Sequence, residues 1–198
     1  MRAGRRRQRL TFLRVDRENV PTPVRIIQNL ARAQRELLRA ADAVPPDLWK
    51  TSPSDGQWSA GELVGHLIMV ERAIIGRADE LLEKPPKSLP FFRRFHVPMA
   101  LVESRLIRRK TPIPLDPQLV REKEEMLAEL RRVRERTLAF IEETKERDLN
   151  KYHMPQAFLG TLNTYQWFQL IASHELRHTK QMREIVASLP KTVRRLQK

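Results

Sequence analysis

The chain contains no cysteine, only six glycines and no apolar run long enough to cross a membrane. Without cysteine there is no disulfide, thiolate metal ligand or cysteine nucleophile, and the composition fits a reducing compartment. A membrane span needs roughly 20 consecutive apolar residues. The basic start at 1–9 is not followed by the apolar stretch of a secretory signal. We therefore expect a cytoplasmic protein that does not contact a membrane.

Acidic residues are in deficit, and the formal net charge is +14. Residues 1–14 carry six arginines and no acid, so we interpret residues 1–20 as a disordered basic arm. Such an arm can contact nucleic acid only through nonspecific electrostatics. Residues 191–198 form a basic C-terminal tail. The length suits one domain, which we place at residues 21–190.

Apolar residues recur at three- and four-residue steps in four long segments, which predicts four amphipathic helices. We expect them at about 23–44, 60–84, 117–146 and 163–189. Ser59 and Glu62 form a capping box before the second helix, and Asp116-Pro117 is typical of the start of the third. No strand-like alternation of useful length is visible. The predicted fold is an all-α four-helix bundle.

The connection between the second and third helices is long and irregular. Residues 84–115 contain six prolines: Pro85, Pro86, Pro90, Pro98, Pro112 and Pro114. We expect a short helix at about 99–109 within this connection, and packing of its phenylalanines Phe91, Phe92 and Phe95. Connections of this length are usually functional or disordered, and we expect this one to shape a substrate pocket.

Three histidines interrupt the apolar stripes of two helices. His174 and His178 are four residues apart, so they share one helix face, and His66 lies among the inward positions of the second helix. A bundle builds metal sites from inward side chains on facing helices, and three imidazoles with one open position are typical of a catalytic metal site. Each could instead be a hydrogen-bonded core residue. His96 and His153 fall in predicted loops.

The segment 174–178 also reads H-E-x-x-H, in which zinc proteases use the glutamate to activate water. The extended motif needs glycine and histidine three and six residues further on, where this chain has Gln181 and Glu184. No strand is apparent to align a peptide substrate. We therefore disfavour a peptidase, and we keep Glu175 as a candidate catalytic base. Gln181, one turn beyond His178, is a candidate for orienting a ligand.

The segment Trp58-Ser59-Ala60-Gly61-Glu62 leading to His66, and the later block from His174 to Gln181, together resemble the DinB-like superfamily of four-helix bundles. The resemblance to these DinB/YfiT-like metalloenzymes covers residues 23–189. The resemblance implies a divalent metal, zinc or nickel foremost, on His66, His174 and His178, and a homodimer. It also implies a small-molecule substrate, because characterised members include metal-dependent transferases of low-molecular-weight thiols.

Three interpretations of function follow. The first is a metal-dependent S-transferase, in which the thiol comes from outside a chain without cysteine. The second is a hydrolase that uses metal-activated water, with Glu175 as base. The third needs no turnover: a structural metal bundle, or a basic nucleic-acid binder. No helix-turn-helix or base-stacking platform is visible, and nucleic-acid binding gives no reason for three inward histidines.

Overall fold

The computed structural model of the chain describes residues 22–87, 120–156 and 159–188. This part contains four long helices, two short 3-10 helices and a small hairpin. The long helices are α1 Pro23–Asp42, α2 Ala60–Leu82, α3 Lys123–Glu143 and α4 Thr164–Ser188. The prediction of an all-α four-helix bundle is confirmed. The basic arm, the C-terminal tail and the short helix expected at 99–109 lie outside the described residues, as do Phe91, Phe92, Phe95 and His96.

Local sequence signals determine where α1 and α2 begin. Thr22 accepts a hydrogen bond from the backbone of Arg25, and Pro23 occupies the first turn of α1. The predicted capping box is present at α2: the Ser59 hydroxyl accepts from the Glu62 amide at 3.2 Å, and the Glu62 carboxylate accepts from the Ser59 amide at 2.7 Å. Both starts agree with the prediction, and the second places His66 two turns into α2.

The third helix begins later than predicted. Residues 120–122 are not helical, and α3 starts at Lys123. The reason is tertiary: Val120 is buried against Trp49 and the first turn of α2. A Cβ on Gly61 would come within 2.3 Å of Val120 Cγ1, so the close approach of these segments requires glycine there. The prediction of one continuous helix from Asp116-Pro117 is therefore wrong at 120–122, and residues 116–119 themselves lie outside the described residues.

A hairpin precedes α4 where the sequence predicts a loop. β1 (His153–Gln156) pairs antiparallel with β2 (Gly160–Asn163), with Met154 opposite Leu162. Each strand has four residues, which is too short for alternation to be recognised in the sequence. Met154 and Leu162 are buried, and the Trp167 indole donates to the Met154 carbonyl at 3.3 Å. The hairpin is thus held against the start of α4.

Two apolar clusters fill the bundle. One contains Trp49, Leu63 and Leu130, and the other contains Leu30, Phe140 and Phe168. Buried polar residues lie between the two clusters along three helices: Glu71 in α2, Arg134 and Thr137 in α3, and Glu175, His178 and Thr179 in α4. His66 lies one helical turn before this level, among residues of the first cluster. Within the described ranges, no helix combines the length and apolarity that crossing a bilayer requires.

Candidate metal centre

The structure brings the three predicted imidazoles together. His66 comes from α2, and His174 and His178 come from successive turns of α4. The Nε2 atom of His174 lies 3.4 Å from Nε2 of His66 and 3.1 Å from Nε2 of His178. One nitrogen from each ring lies within 4.8 Å of the others. Three nitrogens from two helices therefore converge on one point.

Burial keeps the imidazoles of His66 and His174 in the form that binds metal. His66 and His178 are 4% and 8% exposed, and His174 is half-buried. Desolvation lowers the pKa of His66 to about 4. Desolvation also lowers the pKa of His174 well below its usual value, and the charges that His178, His66 and Arg177 can carry add to this effect. The rings of His66 and His174 are therefore neutral near pH 7, and neutral imidazole is the metal-binding form.

The donor set fits a divalent cation. Nitrogens about 2.0–2.1 Å from a tetrahedral zinc are about 3.3 Å from one another, and the two His174 separations of 3.4 and 3.1 Å are close to that value. Hydrogen bonds among the rings cannot satisfy this arrangement, because the single Nε2 of His174 faces both other rings and a neutral imidazole nitrogen has either one hydrogen or one lone pair. A shared cation would accept all three lone pairs. Imidazole ligands suit zinc, nickel, copper and iron.

Gln181 contacts the cluster through His178. Its Oε1 lies 3.0 Å from His178 Nδ1, so the ring donates its Nδ1–H there and keeps the Nε2 lone pair for the centre. A hydrogen bond of this kind fixes the tautomer and orientation of a metal-binding imidazole. The predicted ligand-orienting residue thus contacts one of the proposed ligands.

Trp58 is a site residue that the spacing of histidines did not reveal. Its ring centroid is 4.9 Å from that of His66 and 6.0 Å from that of His178. The indole is half-buried and precedes the Ser59 cap of α2. It therefore covers two imidazoles that come from different helices. The signal in the sequence was the position of an aromatic residue directly before a capping box.

The structure places Glu175 in an ion pair inside the bundle. The side chain is 1% exposed, and Oε2 accepts from Arg134 Nη2 at 2.9 Å. Its Oε1 has no hydrogen-bond partner among the described residues. Desolvation raises the pKa of Glu175 to about 7, although Arg134 opposes the rise. Its role as a catalytic base stays a prediction.

The sequence patterns also did not identify Arg134 and Glu71 as buried partners of the residues at the candidate site. Both follow a stripe leucine by four residues, Leu130 and Leu67 respectively, so each was a charged residue at an inward position. His153 lies half-buried in β1. It is not part of the histidine group found in the described ranges.

A helical bundle with three convergent imidazoles, two of them buried, defines a class of protein suited to hold a metal ion between its helices. The chain belongs to the DinB superfamily, whose profile matches residues 29–182. An uncharacterized protein of Bacillus subtilis (strain 168), YuaE, is 31% identical to it over 134 residues, covering 67% of this chain and 80% of YuaE. No solved structure matches the chain.

Proposed function

We propose that the chain binds one divalent cation through His66, His174 and His178. The observation that carries the proposal is the convergence of three imidazole nitrogens, with the His174 Nε2 atom 3.4 and 3.1 Å from the other two. Membership of the DinB superfamily supports it. Gln181 would fix the ring of His178, and Trp58 would cover one side of the centre.

We further propose that the metal-bound protein is an enzyme that transfers a small-molecule thiol to an electrophile. The thiol would lose its S–H proton to solvent, and its sulfur would displace the leaving group of the electrophile. A bound divalent cation supplies Lewis acidity, which lowers the pKa of a coordinated thiol. The chain contributes no cysteine of its own, so the thiol is a second substrate. The Trp58 indole offers an apolar surface next to the centre, and burial of the imidazoles excludes bulk water from one side.

A metal-dependent hydrolase is the second candidate. It requires a base close to the reacting water, and the Oε1 atom of Glu175, which has no hydrogen bond within the described ranges, is the observation in its favour. The other oxygen is held by Arg134, which directs the carboxylate toward the bundle core. This arrangement favours the thiol transferase over the hydrolase.

The first experiment is elemental analysis of protein purified without chelators or an affinity tag that binds metal. About one equivalent of a divalent metal in the wild type, lost in His178→Ala, supports the proposal. His153→Ala is the matched control, because this half-buried histidine lies outside the cluster, and it should retain the metal. Wild-type protein that contains no metal and takes up neither zinc nor nickel would refute the proposal.

A second experiment separates the two chemistries. The metal-loaded protein is offered thiol–electrophile pairs and, separately, ester and amide substrates. Thiol-dependent turnover that disappears in His66→Ala supports the transferase, whereas turnover without thiol supports the hydrolase. Sedimentation equilibrium of the same samples tests the proposed homodimer.

A further inference from the structure

A buried ionic group crosses the bundle beside the histidine cluster. Arg134 of α3, Glu71 of α2 and Glu175 of α4 are 2%, 3% and 1% exposed. Along α2, α3 and α4, these residues fall between the two apolar clusters of the core. Three ionisable side chains therefore lie in the interior at the middle of the bundle.

The guanidinium of Arg134 contacts all three other long helices. It donates to both oxygens of Glu71, from Nε at 2.8 Å and from Nη2 at 3.0 Å, and Nη2 also donates to Glu175 Oε2 at 2.9 Å. Its Nη1 donates to the backbone carbonyl of Leu30 in α1. Thr137 adds a hydrogen bond to Glu71 Oε1 at 2.6 Å. This one side chain therefore links α2 to α4 directly.

Stability alone does not explain such a group. Moving three charges out of water is costly, and apolar replacement of buried ion networks is often neutral or stabilising. The network instead restricts how the helices can move relative to one another, because a bidentate guanidinium contact tolerates little rotation or sliding of its partners. A core of leucines would allow α2 and α4 more freedom to shift.

The two carboxylates are close to the metal-site histidines along their helices. Glu175 directly follows His174, and Glu71 follows His66 by five residues, a rise of about 7.5 Å. His66 must meet His174 although the two lie on different helices, and their nitrogens are 3.4 Å apart. A shift of about 1 Å between α2 and α4 would separate these two nitrogens too far for both to bind one metal ion in good geometry.

We propose that Arg134 is a positioning residue that holds α2 against α4, so that the imidazole of His66 meets those of His174 and His178. The inference rests on the proposed metal site, but it also concerns the protein without metal. Arg134 acts through Glu71 and Glu175, and the network sets the register of the two helices rather than the stability of the bundle.

The test replaces the network by apolar side chains of similar size: Glu71→Leu, Arg134→Met and Glu175→Leu together. Thr137 keeps its hydrogen bond to the Val133 carbonyl in this variant. The matched control is Arg136→Met on the same helix, because Arg136 pairs with Asp79 and Glu143 at the surface. Zn²⁺ affinity is measured by competition with a chromophoric chelator, and Co²⁺ absorption reports the geometry of the centre.

We expect a cooperative melt in the triple variant, Zn²⁺ binding weakened by about tenfold or more, and an altered Co²⁺ spectrum. The control should match the wild type. Glu175→Gln, whose carbonyl still accepts from Arg134, should keep most of the affinity. The inference would be overturned if the triple variant bound Zn²⁺ within twofold of the wild-type affinity. It would also be overturned if Glu175→Gln lost as much affinity as the triple variant, because the charge of Glu175 rather than the position of the helices would then be responsible.

Arg134→Lys covers the case in which the triple variant does not fold. A single ammonium cannot reproduce the fork that holds both carboxylates, so Zn²⁺ affinity should again fall. A metal-free measurement separates the inference from the proposed function: ¹⁹F NMR of fluorotryptophan-labelled protein, with the Trp58 signal assigned by Trp58→Phe. We expect that signal to move in Arg134→Lys and not in Arg136→Met. An unmoved signal refutes the inference even if the wild type binds no metal.

Discussion

The Nε2 atoms of His174 and His178 lie 3.1 Å apart, on successive turns of α4. Side chains four residues apart on a helix are neighbours, so this half of the cluster is built into one rigid element. His66 must be supplied by a different helix, at 3.4 Å from His174. Metal affinity should therefore depend on the orientation of each imidazole ring and on the position of α2 relative to α4.

Removing the hydrogen bond between Gln181 and His178 should weaken metal binding. In Gln181→Leu the Nδ1–H of His178 loses the acceptor that lies 3.0 Å away, so the ring can turn or change tautomer. We expect Zn²⁺ affinity to fall by about 10- to 100-fold, measured by chelator competition. Gln181→Glu keeps an acceptor and is the control. Equal affinity in Gln181→Leu and wild type would contradict the assignment.

Burial of His66 and His174 should make the metal-free protein lose stability as the pH falls, and the raised pKa of Glu175 should offset part of that loss. The folded-state pKa of His66 is lowered to about 4 by desolvation, from an ordinary value of 6.5. Between these values the unfolded chain binds the additional proton, so stability rises with pH across this window and is fully present above about pH 6.5. Thermal melts of apoprotein from pH 7 to pH 4 measure it, and His66→Leu should flatten the profile. An equally steep profile in that variant would assign the effect elsewhere.

Gly61→Ala should destabilise the protein, whereas Gly76→Ala should not. A Cβ at Gly61 would meet Val120 Cγ1 at 2.3 Å and the Trp49 indole nitrogen at 2.9 Å, while a Cβ at Gly76 would meet nothing within 4 Å. We expect overpacking at Gly61 to cost roughly 1–3 kcal/mol, and Gly76→Ala to gain up to about 1 kcal/mol from helix propensity. Urea unfolding measures the free energy of unfolding of both variants. Equal values for the two would refute the close approach of Val120 to Gly61.

Ser59→Ala should remove one half of the capping box. The Glu62 amide loses its side-chain acceptor at 3.2 Å, and the free energy of unfolding should fall by about 1 kcal/mol. Ser52→Ala, in the exposed loop before α2, is the control and should change little. A fall of the same size in both variants would show that the cap contributes nothing specific.

Any binding of nucleic acid should depend on the basic arm. The described helices and hairpin hold nearly equal numbers of acidic and basic side chains, so most of the +14 excess lies outside them. We expect at most weak, salt-sensitive binding of duplex DNA, abolished by deletion of residues 1–14. Fluorescence anisotropy at two salt concentrations measures it. Binding that survives the deletion would point instead to another basic part of the chain, such as residues 191–198, which carry four basic residues and no acid.

The sequence by itself determined the features that depend only on residues within a few helical turns of one another. Helical periodicity, the capping box at Ser59 and the four-residue spacing of His174 and His178 are local, so they predicted the four helices and one half of the cluster. The inward phase of His66 predicted that it faces the core. These features led to the bundle and to the three imidazoles before any tertiary contact was considered.

Only the tertiary structure decided the rest. The late start of α3 follows from the packing of Val120 against Gly61, and the hairpin follows from pairing between strands of four residues each. Trp58 contacts histidines of α2 and α4, and Arg134 joins carboxylates of the same two helices. These contacts join residues far apart in the chain, and their energies depend on burial and on the meeting of several helices, which a local pattern of residue types does not encode.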